Sequence, residues 1–363
     1  MVGKCVFCFR SFSCVLVGVA IGVSMGCTAA MPGPDPGNGN DNGATDNELP
    51  GGLVLENLPG ALLSVSGTSP TGVYTVGADT NDAAGPLMLH YDGAEWRRVE
   101  TGLTSGDLWW ITTPPVDGQF FMAGDPGLIL RYDPSDGSFE RYETPGTQIM
   151  FGVWGSSLAD VWAVGGDLAN EDAGGVIWHF DGTAWSVTDV ADVAPAGLPT
   201  LYKVWGRSAD EVYAVGRLGM VLRFDGSNWS VVSSDTTRTL FTVHGNDALV
   251  AATGGSNSGV IQELEDDGFV EHAEAVTPQM NGVFVPADGD AVAVGIGGMI
   301  TRRDDAGRWP VQRTSVDTIF DFHATWIDDE GGIWAVGGDL SVNLNEGIVA
   351  YFGDREIAGG VSP

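Results

Sequence analysis

Hydrophobic positions along this chain fall in short runs of β-branched and aromatic residues, separated by clusters of Gly, Asp, Asn and Pro. Such runs predict β-strands that are joined by tight turns. Beyond the N-terminal segment, no stretch keeps the 3.6-residue apolar period of an amphipathic helix. The pattern therefore predicts an all-β protein.

The runs recur in a unit of about 40 residues that is repeated seven times. The clearest copies read VWGSSLADVWAVG…GVIWHFDGTAWSV (153–187) and VWGRSADEVYAVG…GMVLRFDGSNWSV (204–231). Each copy predicts four strands: A at VWG, B at DVWAVG, C at VIWHFDG and D from the Trp of WSV. The Asp-Gly step fits a C–D hairpin, because it tolerates positive φ.

Four-stranded units of this length predict a seven-bladed β-propeller. A linear β-solenoid is the alternative, although its repeats are usually shorter. The last copy shows strands A to C only, while an additional strand-like run, LVLEN (53–57), precedes the first copy. We therefore predict that 53–57 supplies the fourth strand of blade 7 and closes the ring. Because the second and fifth copies diverge from the pattern, the number of blades stays open between six and eight.

The N-terminal segment has the pattern of an export signal. Lys4 and Arg10 precede an apolar run at 14–25 that is too short for a membrane span. The following Gly26-Cys27 resembles the lipobox of bacterial lipoproteins, in which the Cys is lipidated and becomes the N-terminus. The usual Leu three residues before that Cys is absent. The alternative is an ordinary signal peptide cleaved near Ala29-Ala30.

The export signal and the repeats divide the chain into three parts. We predict a lipoprotein-type signal peptide over 1–26, a flexible tether rich in Pro, Gly, Asn and Asp over 27–51, and the propeller over 52–357. The expected location is the bacterial cell envelope, with Cys27 as the membrane anchor; a periplasmic or secreted protein is the alternative.

The net charge of the chain excludes some classes of binding partner. The chain has 48 acidic and 16 basic residues, a formal net charge of -32. Such a surface repels nucleic acid and anionic lipid headgroups, so we expect no nucleic-acid partner and membrane contact only through a lipid anchor. All four Cys lie in the first 27 residues, which excludes a disulfide framework in the propeller.

Two sets of polar residues are candidates for function. The first is a ring in strand C, just before the aromatic-Asp step, where each side chain is interpreted as capping a turn or pairing with a neighbouring acid. Its members are His90, Arg131, His179, Arg223, Glu263, Arg302 and Tyr351. Because His90 and His179 lie two blades apart, a metal site shared by them is not expected.

The second set lies in three long acidic B–C connections, 77–85, 165–175 and 337–347, which in a propeller share one face with the D–A loop at 190–199. We predict a binding face formed by Asp79, Asn81, Asp82, Asp167, Asn170, Glu171, Asp172, Asp339, Asn343 and Glu346. Asp79, Asn81 and Asp82, or Asp167, Asn170 and Asp172, could offer oxygen ligands to Ca²⁺. Their spacing is not that of an EF-hand, and Asp and Asn are also ordinary turn residues.

The repeat VWGSSxxDVWAVG…HFDGTxW resembles the propeller repeats of bacterial surface lipoproteins. It is more distantly similar to the BNR/Asp-box propellers and to photosystem assembly-factor propellers. The steps FDGTAW (180–185) and FDGSNW (224–229) keep the Asp-Gly and Trp of an Asp-box but lack its preceding Ser. The resemblance therefore implies a propeller and transfers no catalytic residue.

The leading hypothesis is an exported, lipid-anchored, non-enzymatic propeller that presents the loop-lined face to an envelope protein or a glycan. It is favoured because the propeller, residues 52–357, has no GxSxG or HExxH motif and the five His are dispersed. Two alternatives are a glycan-acting hydrolase or lyase and a structural calcium-binding module. The sequence does not distinguish the ligand or the oligomeric state.

Overall fold

The extended runs of the repeat form strands in a computed structural model that describes residues 48–266, 268–272, 278–288 and 290–362. The predicted signal peptide, Cys27 and most of the tether lie outside these residues. The strands are β1 (Gly51–Leu58), β2 (Leu62–Ser69), β3 (Gly72–Asp79), β4 (Pro86–Tyr91), β5 (Trp96–Arg98), β6 (Leu108–Ile111), β7 (Phe120–Gly124), β8 (Leu128–Asp133), β9 (Ser138–Arg141), β10 (Ile149–Ser157), β11 (Asp160–Gly166), β12 (Gly175–Phe180), β13 (Trp185–Val187), β14 (Leu201–Ser208), β15 (Glu211–Gly216), β16 (Val221–Phe224), β17 (Trp229–Val231), β18 (Leu240–Gly245), β19 (Val250–Gly255), β20 (Gly259–Glu265), β21 (Gly268–Glu271), β22 (Met280–Phe284), β23 (Val292–Gly295), β24 (Ile300–Arg302), β25 (Asp321–Ile327), β26 (Ile333–Gly338), β27 (Gly347–Phe352) and β28 (Val361–Ser362).

Consecutive strands pair antiparallel in seven sheets, which are the blades of a propeller. Blades 1 to 6 begin at β2, β6, β10, β14, β18 and β22, and blade 7 contains β25 to β27. The first strands of neighbouring blades contact one another around the whole ring, and β25 contacts β2 where the ring closes. The predicted seven-bladed propeller is confirmed.

The closing strand lies where the strand count placed it. β1 pairs antiparallel with β27, from Gly51 opposite Phe352 to Leu58 opposite Gly347, and completes blade 7. Leu55 and Leu58 of β1 are buried in the core. The prediction that the N-terminal strand closes the last blade is therefore confirmed.

Two blades differ from the four-stranded pattern at their outer edge. The C-terminal strand β28 adds a fifth strand to blade 1, parallel to β5, which the repeat pattern does not predict. In blade 6 the fourth strand is reduced to a bridge between Thr301 and Val311. Trp309 nevertheless lies buried where the fourth strand of the repeat would begin.

The repeated tryptophans fill the space between blades. In the VWG motif the Trp of one blade lies against the Gly of the next blade's equivalent motif: a methyl group built on Gly206 would come 2.5 Å from the Trp154 ring, and one on Gly67 the same distance from Trp326. All twelve Trp of the chain lie within the described residues, and each is buried. The motif is therefore a packing unit between blades.

The B–C connections lie on one face of the ring, which we call the B–C face. In blades 3, 4 and 6 these connections contain single 3-10 turns, at Leu168–Asn170, Arg217–Gly219 and Ile296–Gly298. Within the described residues no helix has the length and apolar character needed to cross a membrane.

Candidate binding site on the ring axis

A β-bulge occurs at the same place in the first strand of every blade. The register shifts by one residue between Leu62 and Ser64 in blade 1, and at the equivalent step in the other six blades. The inserted residue is left out of the ladder. These seven residues, which we call the axial ring, are Leu63, Trp109, Phe151, Tyr202, Phe241, Asn281 and His323.

A glycine at the end of each second strand makes room for the bulge. It is the Gly of the repeated VWAVG-type motif, at positions 77, 124, 165, 216, 254, 295 and 337. A Cβ atom at these positions would lie between 1.8 and 2.3 Å from the backbone carbonyl oxygen just before the bulge. No side chain fits at that distance, so the glycine of the motif permits the close approach of two backbones.

The axial ring lines a cavity of about 350 Å³ at the centre of the B–C face. Six of the seven ring residues, all except Leu63, contribute to its wall. The remaining wall residues belong to blades 4, 6 and 7 and lie towards the B–C face: Lys203, Gln279, Ile296, Asp321, Leu340, Ser341 and Leu344.

Aromatic rings form one side of the cavity as a continuous arc. The ring centroids of Trp109 and Phe151 are 5.3 Å apart, those of Phe151 and Tyr202 5.3 Å, and those of Tyr202 and Phe241 5.4 Å. His323 continues the arc at 6.3 Å from Trp109. Such a wall offers apolar surface and π faces to a bound group.

A buried lysine lies next to the arc. Nζ of Lys203 donates a hydrogen bond to the carbonyl oxygen of Phe151 at 3.1 Å and sits 3.2 Å from the centroid of the Trp110 ring. Burial holds the pKa of this amine well below its usual range, because the charged form loses its hydration.

His323 and Tyr202 are the other titratable groups of the arc. Nδ1 of His323 carries its proton and donates to the carbonyl oxygen of Leu63. Burial, with the charge of Lys203 adding to it, lowers the pKa of His323 to about 3, so the imidazole is neutral at physiological pH. The Tyr202 hydroxyl is buried without a hydrogen-bond partner among the described residues, and burial raises its pKa.

The opposite side of the cavity is polar. The Asn281 amide donates to the carbonyl oxygen of Phe322 at 2.8 Å and accepts from Gln279 at 2.8 Å. At the mouth, the Asp321 carboxylate accepts the N–H of Gly297 at 2.9 Å. Burial raises the pKa of Asp321, and the charge of Asp339 raises it further. The cavity therefore has an aromatic side and a hydrogen-bonding side.

One of the three predicted loops reaches this cavity. In the blade 7 connection, Leu344 is buried, its carbonyl oxygen accepts the N–H of Ala61 at 2.8 Å, and its side chain lines the cavity together with Leu340. The predicted Asp339, Asn343 and Glu346 lie in this same connection, between β26 and β27, and do not line the cavity.

The other two loops are held by contacts of their own. Asp82 pairs with Arg98 at 3.0 Å, and Glu171 pairs with Arg217 of blade 4 at 2.8 Å. Asp172 also pairs with Arg217, while Asp167 accepts the N–H of Ala169 at 2.9 Å.

In the blade 1 loop, Asp79 accepts the N–H of Gly106 at 3.1 Å, and Asn81 donates to the Asp79 carbonyl oxygen at 3.0 Å. Asn170 closes the turn that Asp167 begins. No group of three or more His, Cys, Asp or Glu side chains within the described ranges is placed to hold a metal ion. Calcium binding by these loops stays a prediction.

The strand C ring lies away from the axis, and none of its members lines the cavity. Most of its members contact a partner within or beside their own blade. The pairs are Arg131 with Glu140, His179 with Asp160, Arg302 with Asp290, Glu263 with Arg303, and Tyr351 with Arg355. His90 stacks on Tyr74 at 4.2 Å, and Arg223 lies opposite Tyr213 in the ladder.

Sequence analysis therefore missed the axial ring. Each member lies three residues before the position that the Trp occupies in the VWG motif, as Tyr202 does before Trp205. Aligning that column across the repeats gives Leu, Trp, Phe, Tyr, Phe, Asn and His, which is a variable position beside a regular motif. This variation could have identified the column as a candidate site, because residues that only pack between blades keep the same type from copy to copy.

Comparisons with known proteins support the fold. No protein-family model matches the chain, and no curated protein matches it. Among solved structures, the WD40 β-propeller domain of Doa1 has a TM-score of 0.62 at 9% identity, covering 84% of this chain and 97% of that chain. YCF48 bound to D1 peptide has a TM-score of 0.59 at 10% identity, with 87% and 100% covered. A catalytically inactive virginiamycin B lyase from Staphylococcus aureus with quinupristin has a TM-score of 0.63 at 12% identity, with 82% and 98% covered. At these identities the likeness concerns the fold alone.

Proposed function

We propose that this protein is an exported, lipid-anchored, non-enzymatic binding propeller whose B–C face takes a segment of a partner protein, with one apolar group of that segment entering the axial cavity. The observation that carries the proposal is the cavity itself, where Trp109, Phe151, Tyr202 and Phe241 form an aromatic wall open to the loop-bearing face. Few polar groups and much apolar wall are typical of ligand sites.

The size of the cavity fits this role. Ligand sites usually enclose about 300–1,000 Å³, and a cavity of about 350 Å³ accommodates one large side chain or a short piece of peptide. A partner segment would contact the rim formed by the blade 7 connection and the neighbouring loops. The acidic surface of the chain favours a segment with basic residues next to the inserted group.

A protein segment is favoured over a glycan. Glycan recognition by stacking needs aromatic rings exposed at a rim, and every Trp of the chain is buried. Among the structural neighbours, YCF48 has been solved with a bound peptide. A glycan-acting hydrolase or lyase stays an alternative without a residue set to support it.

Selection from a random peptide library on the immobilised chain tests the proposal. Ser341 lines the cavity, whereas the adjacent Val342 is 65% exposed and is not one of the residues that line it. S341W should fill the mouth and remove binding of the selected peptides, while V342W adds the same ring to the same loop outside it and should leave binding intact. Peptides that bind both variants equally would contradict the proposal.

A further inference from the structure

The chain has two lysines, Lys4 and Lys203, so the propeller carries a single one, and that one is buried on the ring axis. Lysine is the residue type that proteins keep most consistently at the surface. A chain with 48 acidic residues could pair a surface lysine almost anywhere. Its placement in the axial cavity therefore requires an explanation of its own.

Within the described part of the chain, Lys203 has no carboxylate partner. Its amine donates to the Phe151 carbonyl oxygen and packs over the Trp110 ring, and burial lowers its pKa with no carboxylate acting in the other direction. An ammonium has three N–H donors, and a buried cation without an anion costs stability. The free protein therefore holds an amine that an anion would satisfy.

A second buried polar group without a partner lines the same cavity. The Tyr202 hydroxyl is buried in the cavity wall and has no hydrogen-bond partner among the described residues. By contrast, the Asn281 amide is already satisfied by backbone and Gln279. The unused N–H donors of Lys203 match a carboxylate with its two acceptor oxygens, and the unpartnered Tyr202 hydroxyl can donate to a group bound in the same cavity.

We propose that the axial cavity binds a carboxylate attached to an apolar or aromatic body, with Lys203 taking the carboxylate and the body packing against Trp109, Phe151 and Phe241. This inference rests on the proposed function and names the chemistry of the inserted group. Two sources share that chemistry: the C-terminus of a partner polypeptide that ends in an apolar residue, and a free aryl or branched carboxylic acid.

Calorimetry on the full-length chain tests the inference with two matched pairs of probes. One pair is 3-phenylpropionate and 3-phenylpropanamide; the other is acetyl-Gly-Phe with a free and with an amidated C-terminus. Each acid should bind at least ten-fold more tightly than its amide. K203M should remove that preference, and R97M, which deletes an exposed charge on β5, should keep it.

A spectroscopic measurement on the unsubstituted chain keeps the test independent of variant folding. With lysine labelled by ¹³C at Cε, only Lys203 and Lys4 give signals, and K4Q assigns them. Saturation with the acid should raise the pKa of Lys203, measured by pH titration of its resonance, whereas the amide should leave that pKa unchanged. A Lys203 pKa that the acid does not raise would overturn the inference.

The outcomes separate this inference from the proposed function. Acids and amides that bind equally, with binding still lost in S341W, would overturn the carboxylate assignment and leave the cavity as a binding site. Failure of all four probes to bind would also overturn it. Binding of the free acid but not of the peptide, or the reverse, supports the assignment and identifies the source of the carboxylate.

Discussion

One glycine in each blade decides where the axial side chains lie. Because Gly165 and its six equivalents have no Cβ, the backbone of the first strand approaches closely enough to bulge, and the bulged residue leaves the ladder. A repeated glycine of this kind is a packing requirement. The residue that it displaces, Phe151 in blade 3, is free to vary and carries the chemistry of the cavity.

G165A should therefore destabilise the fold by roughly 2–3 kcal/mol, because the new methyl group would lie 1.9 Å from the Ile149 carbonyl oxygen and force two strands apart. Urea unfolding measures the effect. G268A is the control, since a Cβ there meets its nearest atom at 3.3 Å. Equal stability of G165A and the unsubstituted chain would contradict the role of this glycine.

Stability should fall as the pH drops below about 6.5, the ordinary pKa of histidine in an unfolded chain. Burial lowers the pKa of His244 to about 4 and that of His323 to about 3. Each then stays neutral in the folded protein while the unfolded chain binds a proton, so its contribution is complete above 6.5 and is lost on acidification.

Urea unfolding at pH 7.5 and pH 5 measures this loss, which should reach about 1.4 kcal/mol per pH unit for each buried histidine. H323N should make the loss smaller. A pH dependence that is the same in H323N and the unsubstituted chain would exclude His323 as a source.

At the scale of elements, the repeat predicted the strands, their order within a blade and the closure by 53–57, because alternation and turn residues are local properties. It did not predict β28, whose pairing with β5 depends on where the ring brings the C-terminus. The axial ring was not predicted for a related reason. A bulge interrupts the two-residue alternation at Tyr202, and that bulge depends on a glycine in another strand.

The closing strand should contribute strongly to stability. Leu55 of β1 is 3% exposed and packs in the core, so L55D should cost roughly 4 kcal/mol through a buried, unpaired carboxylate. E56A, at the adjacent exposed position, should change stability by less than about 0.5 kcal/mol. Thermal unfolding of the two variants compares them. L55D that unfolds like E56A would show that the ring does not depend on β1.

At the scale of the whole molecule, seven similar blades surround a cavity whose wall residues differ from blade to blade. Six of the seven axial positions line this cavity, and they are occupied by Trp, Phe, Tyr, Phe, Asn and His. Of the three predicted acidic loops, the blade 7 connection takes part in this cavity through Leu340 and Leu344. The repeated residues of the motif build the propeller, whereas the residues that differ between blades form the wall of the candidate site.

The proposed lipid anchor at Cys27 is tested on the whole chain. Metabolic labelling with radioactive palmitate should mark the protein in a bacterial host, and C27S should abolish the label and release the protein from the membrane fraction. C14S, inside the predicted apolar run, is the matched control and should keep the label. Labelling that survives in C27S would favour the ordinary signal peptide.

The most direct test of the account is site-specific photo-cross-linking in cells. A benzoylphenylalanine placed at Phe241, in the cavity wall, is compared with one at Val187, which is 58% exposed at the outer edge of blade 3. We expect a cross-link from position 241 to one defined segment of a partner, mapped by mass spectrometry, that S341W removes and V342W does not. Cross-links to the same proteins from both positions, or a cross-link at 241 that S341W leaves unchanged, would contradict the axial cavity as the binding site.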